Sequence, residues 1–283
     1  MNNLPIASEK EVTGLLQLVY KDLASPGVSQ VGLALARTAQ FIALPTLLLD
    51  WTNKRASIAL ENNLERYRKR LENHKPEEIA IVPPEIGVEI LQKLTYVTDK
   101  DISEYYINLL EKASLSRSAH LGHPRFISMI AAISPDEARL LQWFQKLGCV
   151  PWFRMKLTEE ETFRRNNSSL GIPIGTWSSE YSIGMDISLT DLTYPQNINK
   201  YVENILSLGI IETEENESLL QTELYRDLFE PQIREARLVN RSYSEETKLN
   251  IDRAILRPTA GNFWLTKIGE MFLDVCATKV KVN

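Results

Sequence analysis

Over the first half of the chain, apolar positions recur at spacings of three and four, the period of helices that bury one face. Leu60, Leu64, Tyr67 and Leu71 form one stripe, and Ile86, Ile90, Leu91 and Leu94 a second. Ile102, Tyr105, Tyr106, Leu109, Leu110 and Ala113 form a third. Phe126, Ile127, Ile130 and Ile133 follow, then Leu140, Leu141, Trp143, Phe144 and Leu147. Helix starts punctuate these runs. Pro83 ends one run and a new helix begins with Pro84 and Glu85 in its first turn. Thr98 or Asp99 caps the next helix, with Asp101 and Glu104 expected in its first turn. Gly122-His123-Pro124 reads as a turn with Pro124 opening a helix, and Ser134-Pro135-Asp136-Glu137 combines a capping box with proline at N1. Short connections between such helices predict an antiparallel bundle.

Two segments ahead of this bundle carry a different pattern. Between Asp22 and Asp50 the only charge is Arg37, and residues 27–50 place Gly32, Ala36, Ala39 and Ala43 along one helical face where another helix can approach closely. Pro45, Gln30 and Gln40 interrupt the run, so a buried bundle helix is the first expectation. Membrane insertion is the alternative, with Phe41, Leu44, Leu47 and Leu48 as lipid contacts. Residues 52–75 form a basic amphipathic helix with seven basic and three acidic residues. Arg66, Arg68, Lys69 and Arg70 are its candidate lipid contacts, and an ordinary solvated face is the other reading. Reversing these four charges should leave the apolar stripe intact.

The second half alternates element types. Phe153, Met155 and Leu157 alternate with Arg154 and Lys156, a strand pattern. Residues 158–185 are polar and broken by Gly and Pro, which predicts a long loop with short elements. Ile198, Tyr201, Val202, Ile205 and Leu206 predict a helix that Gly209 ends in the left-handed cap position, before a strand at Ile210–Glu214. A charged helical stretch is expected over 216–250. A strand, a turn at Pro258–Asn262, a second strand and a closing helix with Phe272, Leu273 and Cys276 inward complete the chain. Helix, strand, helix and strand-turn-strand is the element order of a winged helix.

Composition narrows the chemistry. A net charge of -5 argues against a general nucleic-acid binder. The candidate recognition helix carries Lys200 against Glu203, so it lacks the basic face that DNA reading needs. Cys149 and Cys276 sit in apolar runs and are expected as buried, reduced thiols. His120 and His123 lie three apart, but Gly122 and Pro124 break the helix that would bring both to one metal, and no third ligand is near. No phosphate-binding loop, nucleophile elbow or histidine–cysteine pairing is present in the sequence. The expectation is therefore no catalytic, cofactor-binding or metal residues, no cofactor and no small-molecule substrate. The opening residues do not read as a secretory signal.

The stretch from Pro84 through Glu137 resembles the abortive-infection alpha family, bacterial proteins associated with defence against phage. The resemblance rests on the proline-led helix at Pro84, the Leu109-Leu110 pair, the His123-Pro124-x-Phe126 segment and the Ser134-Pro135-Asp136-Glu137-Ala138 start. It covers residues 15–145 well and the remainder more loosely. The family brings no catalytic residues to carry over. These readings together give a mainly α chain: a helical domain over 1–133, with family core helices at 84–133, then a winged-helix-like α+β domain over 134–283. The role implied is non-enzymatic phage defence through a membrane-active or partner-binding helical domain, or else a sensor, adaptor or scaffold. A protein partner or self-association is expected, nucleic acid is not. The expected location is the cytoplasm, with peripheral inner-membrane contact as the alternative.

Overall fold

The computed structural model describes residues 30–35, 54–157, 182–183, 192–216 and 256–277, with separate positions between 218 and 238. The fold is mainly helical, with a small sheet after the bundle helices. The chain divides into two compact units, one of residues 1–142 with 270–283 and one of residues 143–269. The end of the last helix belongs with the first unit.

The first unit contains α1 (Gln30–Ala34), α2 (Lys54–Leu71), α3 (Pro84–Tyr96), α4 (Lys100–Ala113), α5 (Pro124–Ala132) and the start of α6 (Pro135–Leu147). It also takes the later part of α8 (Lys267–Cys276). Its centre is α4, which buries Ile102, Ser103, every residue from Tyr105 to Leu110, and Ala113. A helix buried nearly all round must be surrounded by others. The Phe272 ring explains why the terminal helix belongs here, since its centroid lies 5.7 Å from both Tyr105 and Phe126. The predicted stripes are largely buried: Leu60, Tyr67 and Leu71 on α2, with Leu64 half-buried, and Ile86, Ile90, Leu91 and Leu94 on α3. Val31, Ala34 and Leu35 are also buried, so the opening of the apolar segment is packed against this unit. Phe41, Leu44, Leu47 and Leu48 lie outside the described residues.

Three tyrosines in this core set an alkaline limit. Tyr67 shares a hydrogen bond with Ser114 Oγ at 2.5 Å, and Tyr105 donates to the Ala138 carbonyl at 3.1 Å. Burial pushes the phenols of Tyr67, Tyr105 and Tyr106 well above their ordinary 10.0. Above that pH the unfolded chain sheds phenolic protons that the folded chain keeps. Stability is therefore lost as pH rises past the ordinary value. Phenolate absorbance from these residues should appear only together with loss of helical circular dichroism. Ionisation ahead of unfolding would show that they are exposed.

The second unit is built on an antiparallel sheet of order β2-β1-β4-β3, with β1 at Cys149–Leu157, β2 at Ser182–Ile183, β3 at Ile211–Glu215 and β4 at Leu256–Leu265. In place of the predicted strand-turn-strand near the end, β4 runs unbroken for 10 residues, paired with β1 from Leu256 to Trp264. The supposed turn residues do other work. Gly261 lies where a Cβ would meet the Glu214 carbonyl at 2.1 Å and the Trp152 ring at 2.5 Å. Pro258 stands beyond the reach of β3, whose pairing stops at Gly261, so no ladder bond to β3 is lost there. β1 is covered on both faces. Trp152 packs against Phe263 with centroids 5.8 Å apart, and Phe153 stacks on Phe229 at 5.6 Å.

α7 (Ile198–Ser207) buries Ile198, Tyr201, Val202 and Ile205 and ends before Gly209 at φ 69°. Leu206, expected on the same face, is half-buried. Described positions from Glu223 to Leu238 are helical, and Tyr225 and Phe229 close over Phe153 and Ala260. Two expectations of burial fail. Leu147 is exposed, at the end of α6 beside Gly148 with φ 72°. Cys149 is exposed as the first residue of β1, because strand alternation gives the buried position to Val150. Cys276 is buried as expected.

Candidate functional site

The first unit holds a polar seam between α2 and α4. On α2, Asn63, Arg66 and Arg70 lie at spacings of three and four, alongside the buried Leu60, Tyr67 and Leu71 stripe, and His74 follows four residues on. On α4, Ser103, Glu104, Asn108 and Glu111 occupy the matching face. Equal periods on adjacent helices let these rows meet rung by rung.

Arg66 Nη1 donates to Asn63 Oδ1 at 3.0 Å and to Ser103 Oγ at 3.1 Å, while Nη2 pairs with Glu104. Arg70 takes the other Glu104 oxygen, donates to Asn108 Oδ1 and lies 3.1 Å from Glu111 Oε2. The remaining Glu111 oxygen is 3.4 Å from His74 Nε2. Two amides anchor the seam to the rest of the unit. Asn63 Nδ2 donates to the Leu94 carbonyl on α3 at 3.0 Å, and Asn108 Nδ2 to the Cys276 carbonyl on α8 at 2.7 Å. The His74 carbonyl accepts from Gln30 Nε2 on α1 at 2.6 Å.

Two guanidinium groups face two carboxylates, so charge is balanced within the seam. A guanidinium keeps its proton and forms a rigid fork of donors, which suits it to holding paired carboxylates rather than to proton transfer. The arrangement fixes the register of five helices and leaves no surplus charge for an anion. Buried networks of this kind select one packing over others when every member is satisfied.

The four basic residues expected at a lipid surface therefore split. Arg66 and Arg70 turn toward α4. Arg68 and Lys69 lie 3.0 Å and 3.6 Å from Glu65, Arg68 half-buried and the Lys69 side chain 68% exposed. Glu104 also differs from expectation. The helix starts at Lys100 with Asp99 as its cap, accepting from the Ile102 N–H at 3.0 Å, so Asp101 alone is acidic in the first turn. Glu104 falls one turn later, where it reaches the arginines. Sequence reasoning passed over Asn63, His74, Ser103, Asn108 and Glu111. The available signal was the polar row at 63, 66, 70 and 74 beside the apolar stripe, mirrored at 104, 108 and 111.

The motif residues are helix starts and core. Pro84 opens α3, and Leu109 and Leu110 are fully buried in α4. His123 caps α5 by accepting the Arg125 N–H on Nδ1 at 3.1 Å, Pro124 is its first residue, and Phe126 is buried. Among the described residues no three His, Cys, Asp or Glu side chains converge in a way that would hold a metal ion. Ser134 and Glu137 form the reciprocal box: Ser134 N–H donates to Glu137 Oε2 at 2.5 Å, and Glu137 N–H to Ser134 Oγ at 3.3 Å. Asp136, with Pro135 before it, bonds Arg139 at 3.0 Å, and Arg139 reaches Asp101 at 2.9 Å. The Asp101 hydrogen bond raises the Arg139 pKa further above its ordinary value. Ser134→Ala should cost about 1 kcal/mol in chemical denaturation. An unchanged unfolding midpoint would mean that Pro135 alone sets the helix start.

A family model described as abortive infection alpha matches residues 59–276, which spans both units. No curated protein and no solved structure matches the chain.

Proposed function

The chain belongs to the abortive-infection alpha family, and from that premise we propose that it acts in bacterial defence against phage as a non-enzymatic sensor or adaptor that binds a protein partner. The polar seam carries this reading. It takes up Arg66 and Arg70, half of the basic residues that a lipid-binding α2 would use, in holding the bundle together. No helix among the described residues is long and apolar enough to cross a membrane. The proposed location is the cytoplasm.

For the second unit the finer reading is a winged-helix-like module that contacts protein. The order α7, β3, helical residues from Glu223, β4 supports it, with the β3–β4 pair in place of a wing hairpin. Exposed Lys200 and Glu203 on α7 offset each other, which disfavours a nucleic-acid partner.

A membrane-active reading keeps one observation, the exposed Lys69 beside a half-buried Arg68. The experiment is phage challenge of cells carrying the wild-type chain or Arg68→Glu/Lys69→Glu, with membrane potential recorded and purified proteins floated on anionic liposomes. Each basic residue near such a surface contributes about 1 kcal/mol of attraction. The adaptor reading expects unchanged protection, steady potential through infection and no liposome binding by either protein. Joint loss of protection and liposome binding in the variant would replace it with the membrane reading.

A further inference from the structure

β3 is the outer strand of its sheet, and among the described residues no strand pairs with its far side. Two bonds set the parity of its ladder. Asn216 N–H donates to the Ala260 carbonyl at 2.8 Å, and Thr266 N–H to the Ile210 carbonyl at 3.0 Å. Even-numbered residues therefore exchange bonds with β4, and Ile211, Thr213 and Glu215 turn their main-chain groups to the outer edge. Glu212 and Glu214 stand together on one face, both exposed. The Glu212 carboxylate accepts the Trp264 indole N–H at 2.6 Å. The opposite face carries Ile211, Thr213 and Glu215, with Glu215 paired to Arg154.

This edge rejects a second copy of itself, because glutamate would meet glutamate across the new pair. Its complement is an extended segment with basic side chains at alternate positions and apolar ones between. Residues 278–283, just beyond the last described residue, read Thr-Lys-Val-Lys-Val-Asn and have that alternation. We propose that Lys279–Val282 of a second copy adds to β3 as an antiparallel strand. Lys279 lies opposite Glu214, Val280 opposite Thr213, Lys281 opposite Glu212 and Val282 opposite Ile211. This register puts the valines at hydrogen-bonded positions. The Lys–Glu pairs fall at the non-hydrogen-bonded positions, where facing side chains come closest. The inference does not depend on the defence role.

The test uses the full chain in a Cys149→Ser background, which removes the exposed thiol. Glu214→Cys and Lys279→Cys variants are mixed in equal amounts and oxidised. Disulfide-linked dimers are expected in the mixture and not in either variant alone. Absence of such dimers would overturn the proposal, and so would a disulfide closing within one chain that carries both substitutions. Charge reversal supplies a second readout by sedimentation. Glu214→Lys should weaken self-association about two- to fivefold, the scale of one cross-strand pair. Adding Lys279→Glu to the same chain should restore it. Glu214 is exposed, so both variants should keep the wild-type melting profile, and a failure to restore association in a folded chain would also overturn the proposal.

Discussion

Gly269→Ala should destabilise the second unit by roughly 3 kcal/mol, the upper end for forced overpacking. A Cβ at this position would lie 1.9 Å from the Ile210 carbonyl oxygen and 2.9 Å from its carbon. Both are main-chain atoms, so no side-chain rotation can make room. The neighbourhood is also held tightly. Thr266 Oγ1 accepts the Gly269 N–H at 3.0 Å and donates to the Gly209 carbonyl at 2.6 Å, while Thr266 N–H holds Ile210. Moving α8 away from Ile210 breaks that cap and pulls on β3, whose first residue follows at once. Urea unfolding followed by tryptophan fluorescence reports on this unit, since Trp152 and Trp264 lie in its sheet. A midpoint equal to that of the wild type would show that the start of α8 does not approach the Gly209–Ile210 turn.

Glu104→Gln carries the second-largest expected effect. It removes the carboxylate that Arg66 pairs with and leaves Arg70 with Glu111. Breaking a fully buried ion pair costs about 3–5 kcal/mol. The side chains here are 21% to 31% exposed, so water recovers part of that and roughly 2 kcal/mol is expected. A double-mutant cycle with Arg66→Gln should show coupling between the two sites. Additive effects would reduce the seam to surface pairing. The same geometry changes the expectation for reversing all four basic residues of α2. The Arg66→Glu and Arg70→Glu parts set new carboxylates against Glu104 and Glu111. The fourfold variant should therefore lose helical structure, whereas Arg68→Glu/Lys69→Glu should not.

Local signals were read well wherever the chain itself supplies the constraint. Pro84, Pro124 and Pro135 open helices because proline needs no N–H partner in a first turn. Asp99 and Ser134 cap those that follow them, and Gly209 takes a positive φ. The buried stripes of α2, α3, α4 and α5 follow from period alone. The seam was missed because a basic residue on an amphipathic helix looks the same whether its partner is water, lipid or a carboxylate 38 residues away.

The β4 segment shows the same division. Pro258 and Gly261 have the composition of a turn, and in isolation that reading is sound. What overrides it is a neighbour far along the chain: Trp152 on β1 occupies the space a side chain at 261 would need. The place of the end of the last helix in the first unit has a similar origin, with Phe272 settling against Tyr105 and Phe126. The sequence by itself determined helix starts, caps, buried faces and family membership, because each depends on residues within one or two turns or on a linear pattern. Only the tertiary structure decided which charges face inward, where β4 runs and which unit holds the end of the last helix. Those outcomes depend on pairs distant in sequence, whose energies arise only once the chain has brought them into contact.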